Sequence, residues 1–148
     1  MMNTMPSSDT INLLKECNSG VKTAVTSMNE VLDHVKNEKL KALLKQSIKE
    51  HEAIESATHK KLNQFHESEK NPNSMAKAMS WAKINTKLLN NHSDATIADL
   101  ITDGCNMGIK AVCRYENQYQ MAEPVAIQYA QQIIALEEQL SNELRPYL

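Results

Sequence analysis

The hexapeptide Cys-Asn-Ser-Gly-Val-Lys occupies residues 17–22, and Cys-Asn-Met-Gly-Ile-Lys occupies residues 105–110. Four of the six positions are identical, and a fifth exchanges valine for isoleucine. Each copy lies within a long segment of helical periodicity, and a second such segment follows each of them. The chain is therefore predicted to contain an internal repeat, in which two antiparallel helix hairpins share one pattern.

The first segment has apolar residues at alternating spacings of three and four, as a helix packed against other helices requires. We expect Ser8 or Asp9 to cap this helix, which then runs to about Lys36. Asn37 is then its C′ residue, because asparagine tolerates the left-handed backbone conformation. A second helix begins near Glu38, and so short a link makes the pair an antiparallel hairpin. The apolar stripe of the first helix comprises Leu14, Cys17, Val21, Ala24, Met28, Val31 and Val35.

The second half of the chain repeats this arrangement after a long connection. A short helix is predicted over residues 74–90, within the connection. The next helix begins at a cap formed by Ser93 or Asp94, and the last begins at Pro124, a residue suited to a first helical turn. The prediction is an all-α four-helix bundle whose hairpins are joined by one long crossover, which is the ferritin-like topology.

Composition supports one helical domain. The chain has 148 residues with only 3 glycines, 4 prolines, one Trp and one Phe, which disfavours a β-sandwich or barrel. We expect residues 1–7 to be disordered and residues 8–148 to form a single domain. The formal net charge of -2 carries no basic excess, which argues against nucleic-acid binding.

Three features of the sequence predict the cellular compartment of the protein. No stretch approaches the ~20 apolar residues of a membrane span. The N-terminus lacks the pattern of a secretory signal peptide. The 3 cysteines are odd in number and form no CxxC, which excludes a disulfide framework and a zinc knuckle. These features predict a cytoplasmic protein.

The chain resembles a family of small ferritin-like four-helix-bundle proteins, bacterial and mostly of unknown function. The resemblance rests on residues 16–22, residues 97–108 and the crossover residues 73–77 with Trp81. It covers nearly the whole chain from about residue 8. It implies a ferritin-like fold and little about activity. The proteins with which this family is generally associated suggest one further possibility, a stress-related coat or spore protein.

The ligand pattern of a ferritin-like di-metal centre is incomplete. Such centres use a Glu from each of two helices and Glu-x-x-His from each of the other two. His51 follows Ile48 where a Glu is required, and Glu137 precedes Leu140 where a His is required. Aligning the apolar stripes of the second and last helices sets His51 opposite Glu137. We expect either a His–Glu pair in the core of the bundle or polar side chains at its edge. The alternative is a vestigial or atypical site for iron, manganese or zinc formed by His51, Glu55 and Glu137.

The repeated hexapeptides suggest structural roles. Asn18 and Asn106, if both face inward, would hydrogen-bond across a pseudo-twofold axis and fix the register of the hairpins. Gly20 and Gly108 would allow helices to approach closely, which explains the use of a residue that destabilises a helix by roughly 0.5–1 kcal/mol relative to alanine.

No catalytic constellation stands out, because no nucleophile has a His and a carboxylate at recognisable spacing. Cys17 and Cys105 lie on apolar stripes and are expected to pack in the core. We therefore predict a non-catalytic structural or interaction protein, with a second copy or another protein as partner. The crossover with Met75, Met79 and Trp81 would be its docking surface, unless these residues are buried against the bundle, which is the more common use of an apolar stripe. A metal-binding or oxidising protein with an atypical ligand set is the alternative.

Overall fold

The computed structural model describes residues 6–70 and 93–148 of the chain. These residues form four α-helices and no strand, as the sequence predicts. The short helix expected over residues 74–90, and with it the proposed docking surface, lies outside the described residues. The helices are α1 (Ser8–Leu32), α2 (Glu38–Gln64), α3 (Asp94–Gln118) and α4 (Pro124–Leu144), followed by a 3-10 turn (Arg145–Tyr147).

The first helix of each hairpin begins with the same serine cap. The Oγ of Ser7 accepts a hydrogen bond from the backbone N of Thr10 at 3.1 Å, and the Oγ of Ser93 accepts one from Thr96 at 3.1 Å. Each serine thereby satisfies one of the free N–H groups of a first helical turn. Of the two caps expected for α3, Ser93 is confirmed. The cap of α1 is Ser7 rather than the expected Ser8 or Asp9.

The turn between α1 and α2 differs from the prediction. The first helix ends at Leu32, four residues before Lys36. Asn37 is the N-cap of α2 rather than a C′ residue of α1, because its Oδ1 accepts hydrogen bonds from the backbone N of Lys39 at 2.9 Å and of Leu40 at 3.1 Å. The prediction for Asn37 is therefore wrong: its side chain satisfies the start of the following helix.

Two aspartates connect the hairpins at opposite ends of the bundle. The Asp94 carboxylate accepts hydrogen bonds from the backbone N of Lys36 and of Asn37, each at 2.9 Å. The Asp9 carboxylate accepts one from the backbone N of Met121 at 2.9 Å. The end of α1 therefore adjoins the start of α3, and the start of α1 adjoins the turn between α3 and α4. It follows that α1 runs antiparallel to α3 and parallel to α4.

The apolar core forms two clusters along the bundle, and a polar layer lies between them. His51 is flanked on α2 by Ile48 of one cluster and by Ile54 of the other. The first cluster includes Met28, Val31, Leu40, Leu44, Ile97, Leu140 and Leu144. The second includes Leu13, Leu14, Val21, Leu62, Val112, Ala126 and Ala130.

Candidate functional site

A buried histidine–glutamate pair forms the polar layer at the centre of the bundle. The His51 side chain on α2 is 0% exposed, and Glu137 on α4 is 6% exposed. His51 Nε2 lies 3.2 Å from Glu137 Oε1, and His51 Nδ1 lies 2.8 Å from the backbone O of Ser47. The pair expected from the alignment of the two stripes is thus present, and it joins the first hairpin to the second.

The geometry of this pair fixes where the protons lie. The Ser47 carbonyl can only accept a hydrogen bond, so Nδ1 of His51 carries a proton and donates it. Nε2 faces the Glu137 carboxylate, which can only accept a hydrogen bond, so Nε2 also carries a proton and donates it. Burial lowers the pKa of His51, but the hydrogen bond to Glu137 and the charge of Glu137 raise it, and the net pKa lies above the ordinary value. We therefore describe an imidazolium paired with a carboxylate.

Glu55 does not complete a metal site with this pair. It lies one turn beyond His51 on α2 and is half-buried. Within residues 6–70 and 93–148, no group of three or more His, Cys, Asp or Glu side chains is arranged to hold a metal ion. Ile48 and Leu140, at the positions where Glu and His ligands are required, are instead buried members of the apolar core. The residues present do not fit the di-metal centre of ferritin-like proteins.

The two asparagines of the repeated hexapeptides have different environments. Asn18 is 0% exposed, and its Nδ2 donates to Thr58 Oγ1 at 3.0 Å and to the backbone O of Glu55 at 3.2 Å. It therefore connects α1 to α2. Asn106 is exposed on α3. The predicted hydrogen bond between Asn18 and Asn106 is wrong, because only one of the two side chains faces the interior.

The two glycines do not mark a close helix approach either. A Cβ added at Gly20 would meet nothing within 4 Å, so Gly20 faces open space. A Cβ added at Gly108 would lie 3.4 Å from Glu137 Oε1, which is a side-chain atom. The expectation that both glycines bring helix backbones together is therefore wrong. Instead, Gly20 leaves room beside α1, and Gly108 leaves room for the Glu137 carboxylate.

A groove of about 380 Å³ lies between α1 and α3, with α4 as its floor. We call it the α1–α3 groove. Its walls carry several residues with small side chains, and its floor carries Glu137 between two apolar residues. The small wall residues are Gly20, Ala24, Ser27, Gly104, Gly108 and Ala111, and the floor residues are Ile133, Glu137 and Leu140. Sequence reasoning missed this groove, although small residues on two helices that face each other were a signal for it.

A second buried carboxylate lies at one end of the groove. Glu16 on α1 is 7% exposed, and Lys70 donates a hydrogen bond to its Oε1. Burial raises the pKa of Tyr115 on α3 to about 12, and the hydrogen bond and charge of Glu16 act in the same direction. The burial of Glu16 was not predicted, because Lys70 lies 54 residues away in sequence.

The two buried thiols, Cys17 and Cys105, are not activated as nucleophiles. Burial raises the pKa of Cys17 to about 12, and the nearby charges of Glu116 and Glu16 add to this effect. Burial, together with Glu137, also raises the pKa of Cys105 above its ordinary range. Thiolates are the reactive form of cysteine, so both thiols stay protonated and inert at neutral pH. The prediction that they pack in the core is confirmed, while Cys113 is exposed.

Comparisons with known proteins bear on the fold. None of the helices in the two described stretches has the length and apolar character needed to cross a membrane. No family model and no curated protein sequence matches the chain. Among solved structures, the chain is similar to the crystal structure of a DUF305 fragment from Deinococcus radiodurans, with a TM-score of 0.77 and 9% identity over 97% of both chains. At this identity the likeness establishes a shared helical fold, found in a domain of unknown function.

Proposed function

We propose that the chain is a small non-catalytic ferritin-like protein with a structural or interaction role, without a di-iron centre. The direction of the four helices supports the ferritin-like assignment. Because α2 ends beside the start of α1 and α3 starts beside the end of α1, the two hairpins are joined from one end of the bundle to the other. One long crossover of this kind characterises ferritin-like bundles.

The His51–Glu137 pair is the observation that carries the proposal. Both ring nitrogens of His51 already hold hydrogen-bond partners, at 2.8 Å to Ser47 and 3.2 Å to Glu137. A histidine that binds a metal must offer a deprotonated nitrogen to it. Metal binding would therefore require His51 to lose a proton and the buried ion pair to break. His51 is thus not arranged as a metal ligand.

Elemental analysis of protein purified without chelators tests this proposal. We expect iron, manganese and zinc contents far below one ion per chain. We also expect melting temperatures that do not respond to these ions, in the wild type and in His51→Leu alike. One or two bound ions per chain that are lost in His51→Leu or Glu137→Leu would overturn the proposal.

The second candidate is a metal-binding or oxidising protein that uses His51, Glu55 and Glu137. Its support is the convergence of a histidine and a carboxylate from two helices at the bundle centre. Such a site would need the Glu55 side chain to turn inward and His51 to give up its proton. Glu55→Gln would then lower metal content, whereas under the structural role it leaves the composition of the purified protein unchanged.

Exposed apolar side chains on the second hairpin support an interaction role. The larger apolar side chains that are exposed in the described residues all belong to α3, α4 or the segments adjoining them. We propose that a second copy or another protein binds here, and sedimentation at increasing protein concentration tests self-association. These residues and their exposures are Met107 (44%), Met121 (77%), Ile127 (37%) and Leu148 (58%).

We also propose a reducing compartment such as the bacterial cytoplasm. Cys17, Cys105 and Cys113 are all free, as thiols remain where glutathione and thioredoxin keep them reduced. Cell fractionation with an antibody against the native protein would test this assignment, and recovery from a secreted or periplasmic fraction would contradict it.

A further inference from the structure

The chain between α2 and α3 connects opposite ends of the bundle. Lys70, the last described residue before this connection, donates a hydrogen bond to Glu16 in the first half of α1. The described chain resumes at Ser93, and Asp94 binds the turn that follows α1. Residues 71–92 therefore join two points that lie roughly 30 Å apart along α1, since a helix rises about 1.5 Å per residue. A helix of this length would span roughly 33 Å, which is enough for the distance.

The residues after α2 lie on the side of the bundle that α1 forms with α3. The helices α2 and α3 each pack against α1 and α4 and are diagonal to each other, so a path from α2 to α3 passes outside α1 or outside α4. Glu67 pairs with Lys15 at 3.4 Å and Glu69 pairs with Lys22 at 2.6 Å, and both lysines belong to α1. The chain thus leaves α2 across α1, and the next surface in this direction is the α1–α3 groove.

The groove offers space and apolar surface to a further segment. Its volume is about 380 Å³, and small residues such as Ala24 and Gly104 line its walls. Met28, Leu100 and Leu140 contribute apolar side chains to the lining. Removal of such a surface from water is favourable, so packing in the groove stabilises a segment that carries apolar side chains.

Two buried polar atoms on the groove side of α1 have no hydrogen-bond partner among the described residues. They are Oγ of Ser19, a residue that is 1% exposed, and Oε2 of Glu30. Ser19 precedes Thr23 by four residues and Glu30 follows it by seven, so both share the helix face on which Thr23 lines the groove. Buried polar groups are nearly always hydrogen-bonded, so this face requires partners from another part of the chain.

The composition of residues 71–92 matches both requirements. The segment has three lysines, which can donate to Glu30, and it has no Asp or Glu. We propose that residues 71–92 occupy the α1–α3 groove and pack their apolar side chains against its lining. This proposal goes beyond the structural role above, and it makes the groove the seat of the chain's own crossover rather than a ligand site. The larger apolar residues of the segment are Met75, Met79, Trp81, Ile84, Leu88 and Leu89.

The fluorescence of Trp81 tests the burial of the segment, because it is the only tryptophan of the chain. In the full-length protein, acrylamide should quench Trp81 at least roughly threefold less in the native state than in urea, since a packed indole is shielded from the quencher. The native emission should also lie at shorter wavelength. Equal quenching in the native and unfolded states would overturn the proposal.

A nitroxide spin label on the groove tests the location. Met107 lines the groove and is 44% exposed, whereas Glu52 is exposed on α2 and is not part of the lining. Labelled Met107→Cys and Glu52→Cys are compared in a Cys113→Ser background, because Cys113 is an exposed thiol. We expect the label at position 107 to quench more than half of the Trp81 emission and the label at position 52 to quench little of it. Equal quenching, or stronger quenching from position 52, would overturn the proposal.

A blocking variant tests whether the groove holds the segment. Ser27 lines the groove and is half-buried, so the larger side chain of Ser27→Phe competes with the segment for space. Acrylamide quenching of Trp81 should rise toward the unfolded value, while far-UV circular dichroism stays helical. Asn29→Phe is the matched control, because Asn29 is exposed on the same helix and is not part of the lining. Unchanged quenching in a folded Ser27→Phe variant would overturn the proposal, and if this variant does not fold, the two labelled variants decide the question.

Discussion

The two copies of the hexapeptide show how the same residues acquire different roles in the two hairpins. Cys17 and Cys105 are both buried and contribute to the core. The residue after each cysteine is asparagine, yet Asn18 is fully buried against α2 while Asn106 is exposed to solvent. The shared pattern therefore extends to the apolar stripe and no further around the helix.

The difference follows from the number of helices that surround each copy. Both α1 and α3 have 25 residues, but eleven residues of α1 are buried and only five residues of α3 are buried. The reason is that α1 packs against all three other described helices, whereas α3 packs chiefly against α1, α4 and the 3-10 turn. Sequence similarity between two helices thus predicts which side of each helix faces the core. The helices packed around each one determine how many of its residues are buried.

The largest expected effect concerns the pair that joins the two hairpins. His51→Leu and Glu137→Leu should each lower the free energy of unfolding by about 3–5 kcal/mol, because each leaves a buried charged group without its partner. Chemical denaturation measures this effect. The exposed Glu138 gives the matched control, and Glu138→Leu should change stability by less than about 0.5 kcal/mol.

The double variant His51→Leu/Glu137→Leu shows whether the two effects are coupled. It should recover most of the stability lost in the single variants, since apolar residues often replace a buried ion pair at little cost. A double variant whose loss equals the sum of the two single losses would show that the two hairpins are not joined by this pair.

The next largest effect separates the two asparagines. Asn18→Ala should cost about 1–3 kcal/mol, because it removes the buried amide that donates to Thr58 Oγ1 and to the Glu55 carbonyl and so connects α1 to α2. Asn106→Ala, at an exposed helical position, should stay within about 0.5 kcal/mol of the wild type. Equal losses in urea denaturation would contradict the difference between the two hairpins.

The pH dependence of stability tests whether the pair between the hairpins is ionic. The pKa of His51 is raised on folding, so the folded state binds the proton more tightly than the unfolded state. The stabilisation is therefore complete below the unfolded pKa of about 6.5 and is lost as the pH rises through the raised folded pKa. The slope is at most about 1.4 kcal/mol per pH unit for one proton.

The comparison of the wild type with the double variant isolates this effect from other titrating groups. The stability difference between them should fall as the pH rises above about 6.5, because the pKa of His51 is raised on folding. A difference that is constant over this range would mean that His51 does not exchange its proton on unfolding.

The smallest effect distinguishes the two glycines. Gly20→Ala should raise the free energy of unfolding by about 0.5–1 kcal/mol, because alanine favours the helix and its Cβ enters open space. Gly108→Ala should gain less, since its Cβ would lie 3.4 Å from the Glu137 carboxylate. Thermal melts of the two variants compare these gains, and a larger gain for Gly108→Ala would contradict the assigned surroundings.

Much of the fold was accessible from the sequence because it depends on local rules. Apolar spacing predicts each described helix, Ser93 and Pro124 mark helix starts, and the alignment of two stripes sets His51 opposite Glu137. Asn37 was misassigned because asparagine suits both the end of one helix and the start of the next. The choice depends on Asp94, which binds the turn from the other hairpin.

The α1–α3 groove was less predictable, because it depends on the distance between α1 and α3. Periodicity shows that Gly20 and Asn106 flank an apolar stripe, but it does not show that α1 and α3 separate beside it. The ion pair of Glu16 with Lys70 was equally hidden, since it forms only when the chain after α2 returns along α1. Such contacts depend on tertiary structure rather than on residue spacing.

Asp9 and Asp94 give the ends of the bundle an unusual property. Each lies in the first turn of a helix and binds the backbone of a turn that belongs to the other hairpin. The amide protons of Lys36, Asn37 and Met121 are therefore shielded from exchange with solvent although their turns lie at the surface. Neither hairpin turn can fray without breaking a hydrogen bond to the other hairpin, so local opening at either end of the bundle involves both hairpins.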